Sequence, residues 1–96
     1  MIPKRKSMSK EDAEALAIQA FTFLAEEPER LGRFLSLTGL GPQDLMAGLG
    51  RPEVLAAVVG YLRGDESLLL VFSAQAGVAP EQLIAAERLL GGDPSG

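Results

Sequence analysis

The segment 67–76 contains five consecutive large apolar residues, Leu68-Leu69-Leu70-Val71-Phe72, and no charged residue in ten positions. Exposed to water, such a run promotes aggregation, so other parts of the chain must cover it. Burying five side chains of this size contributes about 7–15 kcal/mol before the loss of conformational entropy is subtracted, which is similar to the net stability of a small domain. We therefore expect this segment to form the centre of the hydrophobic core.

The apolar run is compatible with a buried strand or a helix, because periodicity alone does not separate the two. The other segments favour helices, which leaves no second strand for pairing. In segment 9–26, Ser9 and Asp12 have the spacing of an N-terminal cap. The apolar residues of that segment recur at helical spacing and predict one buried face: Ala13, Leu16, Ala17, Ala20, Phe23 and Leu24. The sequence thus predicts an all-α fold, a small orthogonal bundle of five or six short helices.

Proline and glycine mark the boundaries of the remaining helices, since proline suits the first turn and glycine the position after the last. The predicted helices are 29–38, 42–49, 52–63, 66–76 and one that runs from Pro80 to about residue 90. Their apolar residues predict the inward sides, listed by helix: Leu31, Phe34, Leu35 and Leu37 with Thr38; Leu45, Met46 and Leu49; Leu55, Val58, Val59 and Leu62; Leu83, Ile84, Ala86, Leu89 and Leu90.

Segments 34–45 and 72–83 repeat one pattern: Phe, four residues, Gly, an aliphatic residue, one residue, Pro, two residues, Leu. Each copy predicts a helical corner, in which Gly39 or Gly77 adopts a positive φ and Leu40 or Val78 seals the turn.

A similar corner joins the two helices of helix-turn-helix DNA-binding domains. A recognition helix presents Arg, Lys, Asn or Gln to the bases and is surrounded by cations that bind phosphate. The second helices here carry mostly acidic and amide residues: Gln43, Asp44, Glu81, Gln82 and Glu87, with Arg88. The pattern favours a corner used only for folding and leaves a DNA-binding or transcription-related domain as the alternative.

Charge is unevenly distributed along the chain. The first ten residues include Lys4, Arg5, Lys6 and Lys10 and no acid, whereas five arginines and all thirteen acidic residues follow, a net charge of −8. An acidic body repels phosphate, which argues against nucleic acid as the partner. We expect a disordered basic arm over residues 1–8, a single helical domain over residues 9–91 and a flexible tail over residues 92–96.

The composition excludes most catalytic and metal-binding chemistry. The chain has no cysteine and no histidine, which removes thiolate and imidazole ligands, cysteine nucleophiles and the Ser-His-Asp arrangement. The acidic pairs Glu26-Glu27 and Asp65-Glu66 fall at predicted helix ends, where capping accounts for them. We expect no enzyme activity, no cofactor and no metal. Since no apolar run is long enough to cross a membrane, we also expect no membrane association and a cytoplasmic location.

Several short motifs together resemble a known family. They are the acidic first helix with Ala-Phe-Thr-Phe-Leu at 20–24, Phe34-Leu35 followed by Thr38-Gly39-Leu40, and Asp65-Glu66 leading through Phe72 to Ala76-Gly77. Over residues 9–91 the chain resembles small uncharacterised all-helical proteins from bacteria that are known as a domain of unknown function. The resemblance implies a compact helical domain and supplies no catalytic residue or cofactor.

These observations predict a non-enzymatic protein–protein interaction module whose partner is an unidentified protein or a second copy of the chain. The candidate surface is the second face of the first helix, with Ile18 and Phe21, or the short helix around Met46. Ile18 and Phe21 lie outside the predicted buried face of the first helix, and Met46 lies on a short helix that ends in glycine.

Overall fold

The computed structural model describes residues 8–48 and 50–91, except for the side chains of Pro42 and Met46. Within these ranges the chain forms six helices and no strand: α1 (Lys10–Ala25), α2 (Pro28–Thr38), α3 (Pro42–Gly48), α4 (Pro52–Arg63), α5 (Glu66–Ala76) and α6 (Pro80–Leu89). The predicted all-α bundle is confirmed, and the apolar run at 68–72 is helical. The expected arm falls almost wholly, and the tail wholly, outside the described residues, as does Leu49.

The core is formed where α1, α4 and α6 pack on one another. The buried face of α1 contains the six residues predicted for it, and its alanines at 13, 17 and 20 are fully buried. Such small side chains let neighbouring helices approach closely. The same core includes four residues of α4, two of α6 and the residue directly after α6: Leu55, Val58, Val59, Leu62, Leu83, Ala86 and Leu90.

The expectation that segment 68–72 is the centre of the core is wrong. Only Phe72 is buried, at 2% exposure, and its ring lies 5.3 Å from that of Phe23. Leu70 is 55% exposed and Val71 49%. The reason is geometric: five consecutive residues point all round a helix, whereas α5 has its neighbours on the side of Phe72. Residues 70 and 71 therefore lie on its outer side.

Three further apolar residues that the sequence placed inward are exposed. Leu37 is 67% exposed, because α2 is anchored by the buried Phe34, which packs edge-on against Tyr61 at 5.2 Å between ring centroids. The half-buried Leu31 and Leu35 complete this stripe, and Leu37 lies outside it; Thr38 is exposed as well. On α6 the buried positions are 83, 86 and 87, and Leu90 directly after the helix is buried too, which leaves Ile84 and Leu89 outside.

The N-terminal caps of α1 and α5 use the residues that the sequence indicates. The backbone N–H of Asp12 donates to Ser9 Oγ and the backbone N–H of Ser9 donates to Asp12 Oδ2, each at 3.0 Å. At α5, Asp65 Oδ1 accepts from the backbone N–H of Leu68 at 3.2 Å. These bonds satisfy N–H groups that have no partner within the helix.

The repeated pattern forms two similar corners. Gly39 and Gly77 have φ values of 78° and 72°, in the left-handed region that favours glycine. After each corner, the third residue of the new helix accepts from the backbone N–H of the capping residue: Asp44 from Gly41 at 2.9 Å, and Gln82 from Ala79 at 2.7 Å. At the second corner, α5 and α6 meet at 101°. The predicted geometry of both corners is confirmed.

Candidate interaction surfaces

The residues of the predicted partner surface have different environments. Ile18 is 46% exposed on the outer side of α1. Phe21 is half-buried and packs against the core. The side chain of Met46 lies outside the described part of the structure. The structure therefore leaves Ile18 available for contact and gives Phe21 a packing role.

A depression of about 770 Å³ lies between the first half of α1 and the start of α6. Its apolar lining comes from both helices and the corner before α6: Met8, Ala15, Leu16, Val78, Ala79 and Ala85. Asp12, Gln19, Glu81 and Gln82 are the polar residues that line it. Small side chains at 15, 79 and 85 keep this space open, because none of them extends beyond Cβ.

A second depression, of about 270 Å³, lies between the last half of α1 and α5. Ile18, Phe23 and Phe72 contribute to its lining, and Gln75 Nε2 donates to Glu26 across it at 3.2 Å. Gln19 lines both depressions, so they adjoin along α1. We call the two together the α1 groove; from residue 12 to residue 26 it spans about 21 Å at the helical rise per residue.

The α1 groove is acidic. Among the described residues that line it, the charged side chains are Asp12, Glu26 and Glu81, and none is a lysine or an arginine. Arg30 contacts Phe23, with its guanidinium carbon 4.2 Å from the ring centroid, but that guanidinium also pairs with Glu27 and donates to the Phe23 carbonyl. The field along the groove therefore favours positively charged groups.

The outer face of α5 is a second exposed apolar surface, which the sequence did not predict. Leu70 and Val71 lie there with Ser67 and Ala74, all exposed. The expectation that residues 68–72 are the core hid this surface. Helical spacing supplies the signal, since positions 67, 70, 71 and 74 form one face once Phe72 is known to point inward.

An ion pair between the exposed Arg63 and the buried Glu87 joins α4 to α6. Glu87 is 8% exposed and binds the Arg63 guanidinium through two hydrogen bonds, one from Nε and one from Nη2 at 3.2 Å. Hydrogen bonding and the opposite charge of Glu87 raise the pKa of Arg63. Gly60 leaves room for the carboxylate, because a Cβ there would lie 2.9 Å from Glu87 Oε2. The pair is structural, and it makes Glu87 unavailable for contacts outside the domain.

Few of the α6 residues after the second corner are of the types that a recognition helix presents to bases. Of the α6 residues considered for base contacts, Glu87 is buried and Gln82 caps its own helix. Glu81 and Arg88 remain exposed, with opposite charges. Among these four residues, a DNA duplex would therefore meet a single cation, Arg88, next to the acidic α1 groove.

The described residues contain no group of three or more acidic, histidine or cysteine side chains placed to hold a metal ion. In the same part of the chain, no single helix has the length and apolar composition needed to span a membrane. The helices α5 and α6 meet those criteria only when taken together, and they are bent by 101°. The cytoplasmic location stays a prediction.

Comparison with known proteins identifies a family. No curated protein and no solved structure matches the chain. A family model does match, and it covers residues 10–93, a range that includes all six helices, both corners and the α1 groove from Lys10 onward. The chain therefore belongs to the family described as "Protein of unknown function (DUF3572)".

Proposed function

We propose that this protein is a non-enzymatic protein–protein interaction module that binds a segment of its partner in the α1 groove. The observation that carries this proposal is the shape and lining of the groove: an open, largely apolar channel along one side of α1, with Ile18 exposed at its edge. The floor of the groove is formed by core residues, Leu16, Phe23 and Phe72. Ala15 and Ile18 are exposed along it and are not part of that core.

The dimensions of the groove suit a peptide segment. Recognition of a helix in a groove uses anchors at positions i, i+3, i+4 and i+7 of the bound helix. A bound helix that followed the groove for about 21 Å would have about 14 residues, or nearly four turns. Ala15 and Ala85 would accommodate large anchors, and Gln19 would offer hydrogen bonds halfway along.

A DNA-binding function is the alternative that the corner at Gly77 suggested, and no observation favours it over the module. The angle of 101° between α5 and α6 suits such a corner. Glu81 at the start of α6 and the carboxylates of the α1 groove would, however, repel the phosphates that must approach α6.

Photocrosslinking tests the proposed module in the cell. A photoreactive amino acid is placed at Gln19, in the middle of the groove, and in a second protein at Glu53, an exposed position on α4 outside the groove. We expect a defined crosslinked product from position 19 and not from position 53. The partner found in that product is then purified and mixed with the unmodified protein, so that direct binding is measured by calorimetry.

A groove substitution provides the control for that measurement. Ala15→Arg places a long, charged side chain inside the groove and should abolish direct binding, while circular dichroism verifies that the variant keeps its helical content. Equal crosslinking from both positions, or full binding by the Ala15→Arg variant, would contradict the proposal. A crosslinked product that contains two copies of the chain would identify the partner as a second copy.

A further inference from the structure

The α1 groove has an unbalanced charge, which restricts what can bind there. The described residues form salt bridges between Arg30 and Glu27 and between Arg63 and Glu87, and these leave Glu26 and Glu81 without a cation. Glu26 accepts hydrogen bonds from Gln75, but an amide does not neutralise its charge. An acidic or neutral partner would bury these carboxylates at a cost in desolvation.

From this charge we infer that the segment bound in the α1 groove is basic and amphipathic: lysines or arginines along its edges and large apolar side chains facing the groove. The inference rests on the function proposed above and names the chemistry of the partner. Glu26 stands at one end of the groove on the α1 side, and Glu81 lines the α6 side. A basic segment can therefore place cations beside these two carboxylates while its apolar residues contact Ala15, Leu16 and Val78.

The electrostatic consequences follow from the exposed position of these carboxylates. Each exposed ion pair contributes little alone, but several at one site raise both affinity and the rate of association. The contribution is screened by salt. Basic segments should thus bind more tightly than neutral segments of the same apolar pattern, and the difference should decrease as salt is added.

Three synthetic peptides test the inference. Each has 15 residues with leucine at helical i, i+3, i+4 and i+7 spacing, and the other positions are all lysine, all glutamine or all glutamate. Binding to the isotopically labelled full chain is followed by amide chemical shifts. We expect the lysine peptide to change the amide chemical shifts of Ala15, Gln19 and Val78. At low salt it should bind at least about fivefold more tightly than the glutamine peptide. The glutamate peptide should bind most weakly.

Two charge-reversal variants form a matched pair. Glu81→Lys alters the groove, whereas Glu53→Lys alters α4 outside it. Glu81 and Glu53 each follow the proline that opens a helix, at Pro80 and Pro52, so the cost of placing a lysine there should be similar. Both change the net charge equally. We expect Glu81→Lys to lower the affinity for the lysine peptide about fivefold and Glu53→Lys to keep that affinity within about twofold of its original value.

The outcomes separate the inference from the function on which it rests. Equal affinity for the lysine and glutamine peptides, with chemical-shift changes in the groove, would overturn the inference that the partner is basic and would agree with the proposed interaction module. Shifts elsewhere, or none from any peptide, would overturn both. Equal weakening by Glu81→Lys and Glu53→Lys would show a response to net charge alone and overturn the inference. If the lysine peptide binds only after residues 2–7, with Lys4, Arg5 and Lys6, are deleted, the groove's occupant is the chain's own arm and the separate partner is wrong.

Discussion

The five apolar residues of α5 should contribute very unequally to stability. Phe72 is 2% exposed and packs against Phe23, so Phe72→Ala should lower the free energy of unfolding by about 3–5 kcal/mol. Leu70 is 55% exposed. Full burial of a leucine contributes about 1.5–3 kcal/mol, so Leu70→Ala should cost about 1 kcal/mol or less. Val71→Ala should cost a similar small amount.

Urea unfolding followed by circular dichroism at 222 nm measures these differences, since helices account for the signal. A loss of 3–5 kcal/mol is a large part of the 5–15 kcal/mol or so that stabilises a typical domain. If Phe72→Ala does not fold, Phe72→Leu replaces it as a milder substitution that should still cost more than Leu70→Ala.

Two results would refute this reasoning. If Leu70→Ala costs as much as Phe72→Ala at low protein concentration, then the outer face of α5 is covered within the monomer and the described packing is wrong. If the cost of Leu70→Ala rises with protein concentration, a second copy covers that face, because association adds stability by mass action. A small cost that is independent of concentration agrees with an exposed face.

Three further predictions concern the ion pair, the corners and the first cap. Arg63→Met leaves the Glu87 carboxylate buried without its cation and should lower the free energy of unfolding by about 1–3 kcal/mol. Adding Glu87→Leu removes that carboxylate and should restore much of the lost stability. Urea unfolding of the single and double variants measures both changes. Gly77→Ala should lower stability by about 1 kcal/mol or more, because φ at this position is positive. Gly32→Ala, at an open helical position of α2, should raise stability by about 0.5–1 kcal/mol. Thermal unfolding should show shifts of opposite sign in the midpoint temperatures of the two variants. Ser9→Ala removes the cap of α1 and should cost about 0.5–2 kcal/mol, and amide hydrogen exchange should increase first in the first turn of that helix.

The helices themselves could be predicted from the sequence because local chemistry decides them. Ser9 and Asp65 cap helices in the structure as in the prediction, and Gly39 and Gly77 end them. The buried face of α1 was also predictable, since its apolar residues follow a period of 3.6 with polar residues between them. Each of these signals depends on residues within about four positions of one another.

The environment of α5 could not be predicted in the same way. When apolar residues surround a helix, the sequence does not indicate which side faces the core, and the contacts of α1, α4 and α6 decide it. The α1 groove depends on the same long-range packing, because Ala15 and Ala85 are 70 positions apart in the chain. Glu87 was missed for a different reason: it follows Leu83 and precedes Leu90 at helical spacing, so its place on the buried face could have been seen, but its charge suggested exposure.

The pairing of α1 with α6 determines when the core can form during synthesis. These helices pack closely although 54 residues separate the end of one from the start of the other. Closing a loop of that length costs about 2 kcal/mol more entropy than closing a loop of about four residues. While a ribosome is still making α5, the apolar face of α1 has no α6 to cover it. Chains that stop before Pro80 should therefore aggregate or be degraded, and the domain should acquire its fold only after α6 has left the ribosome.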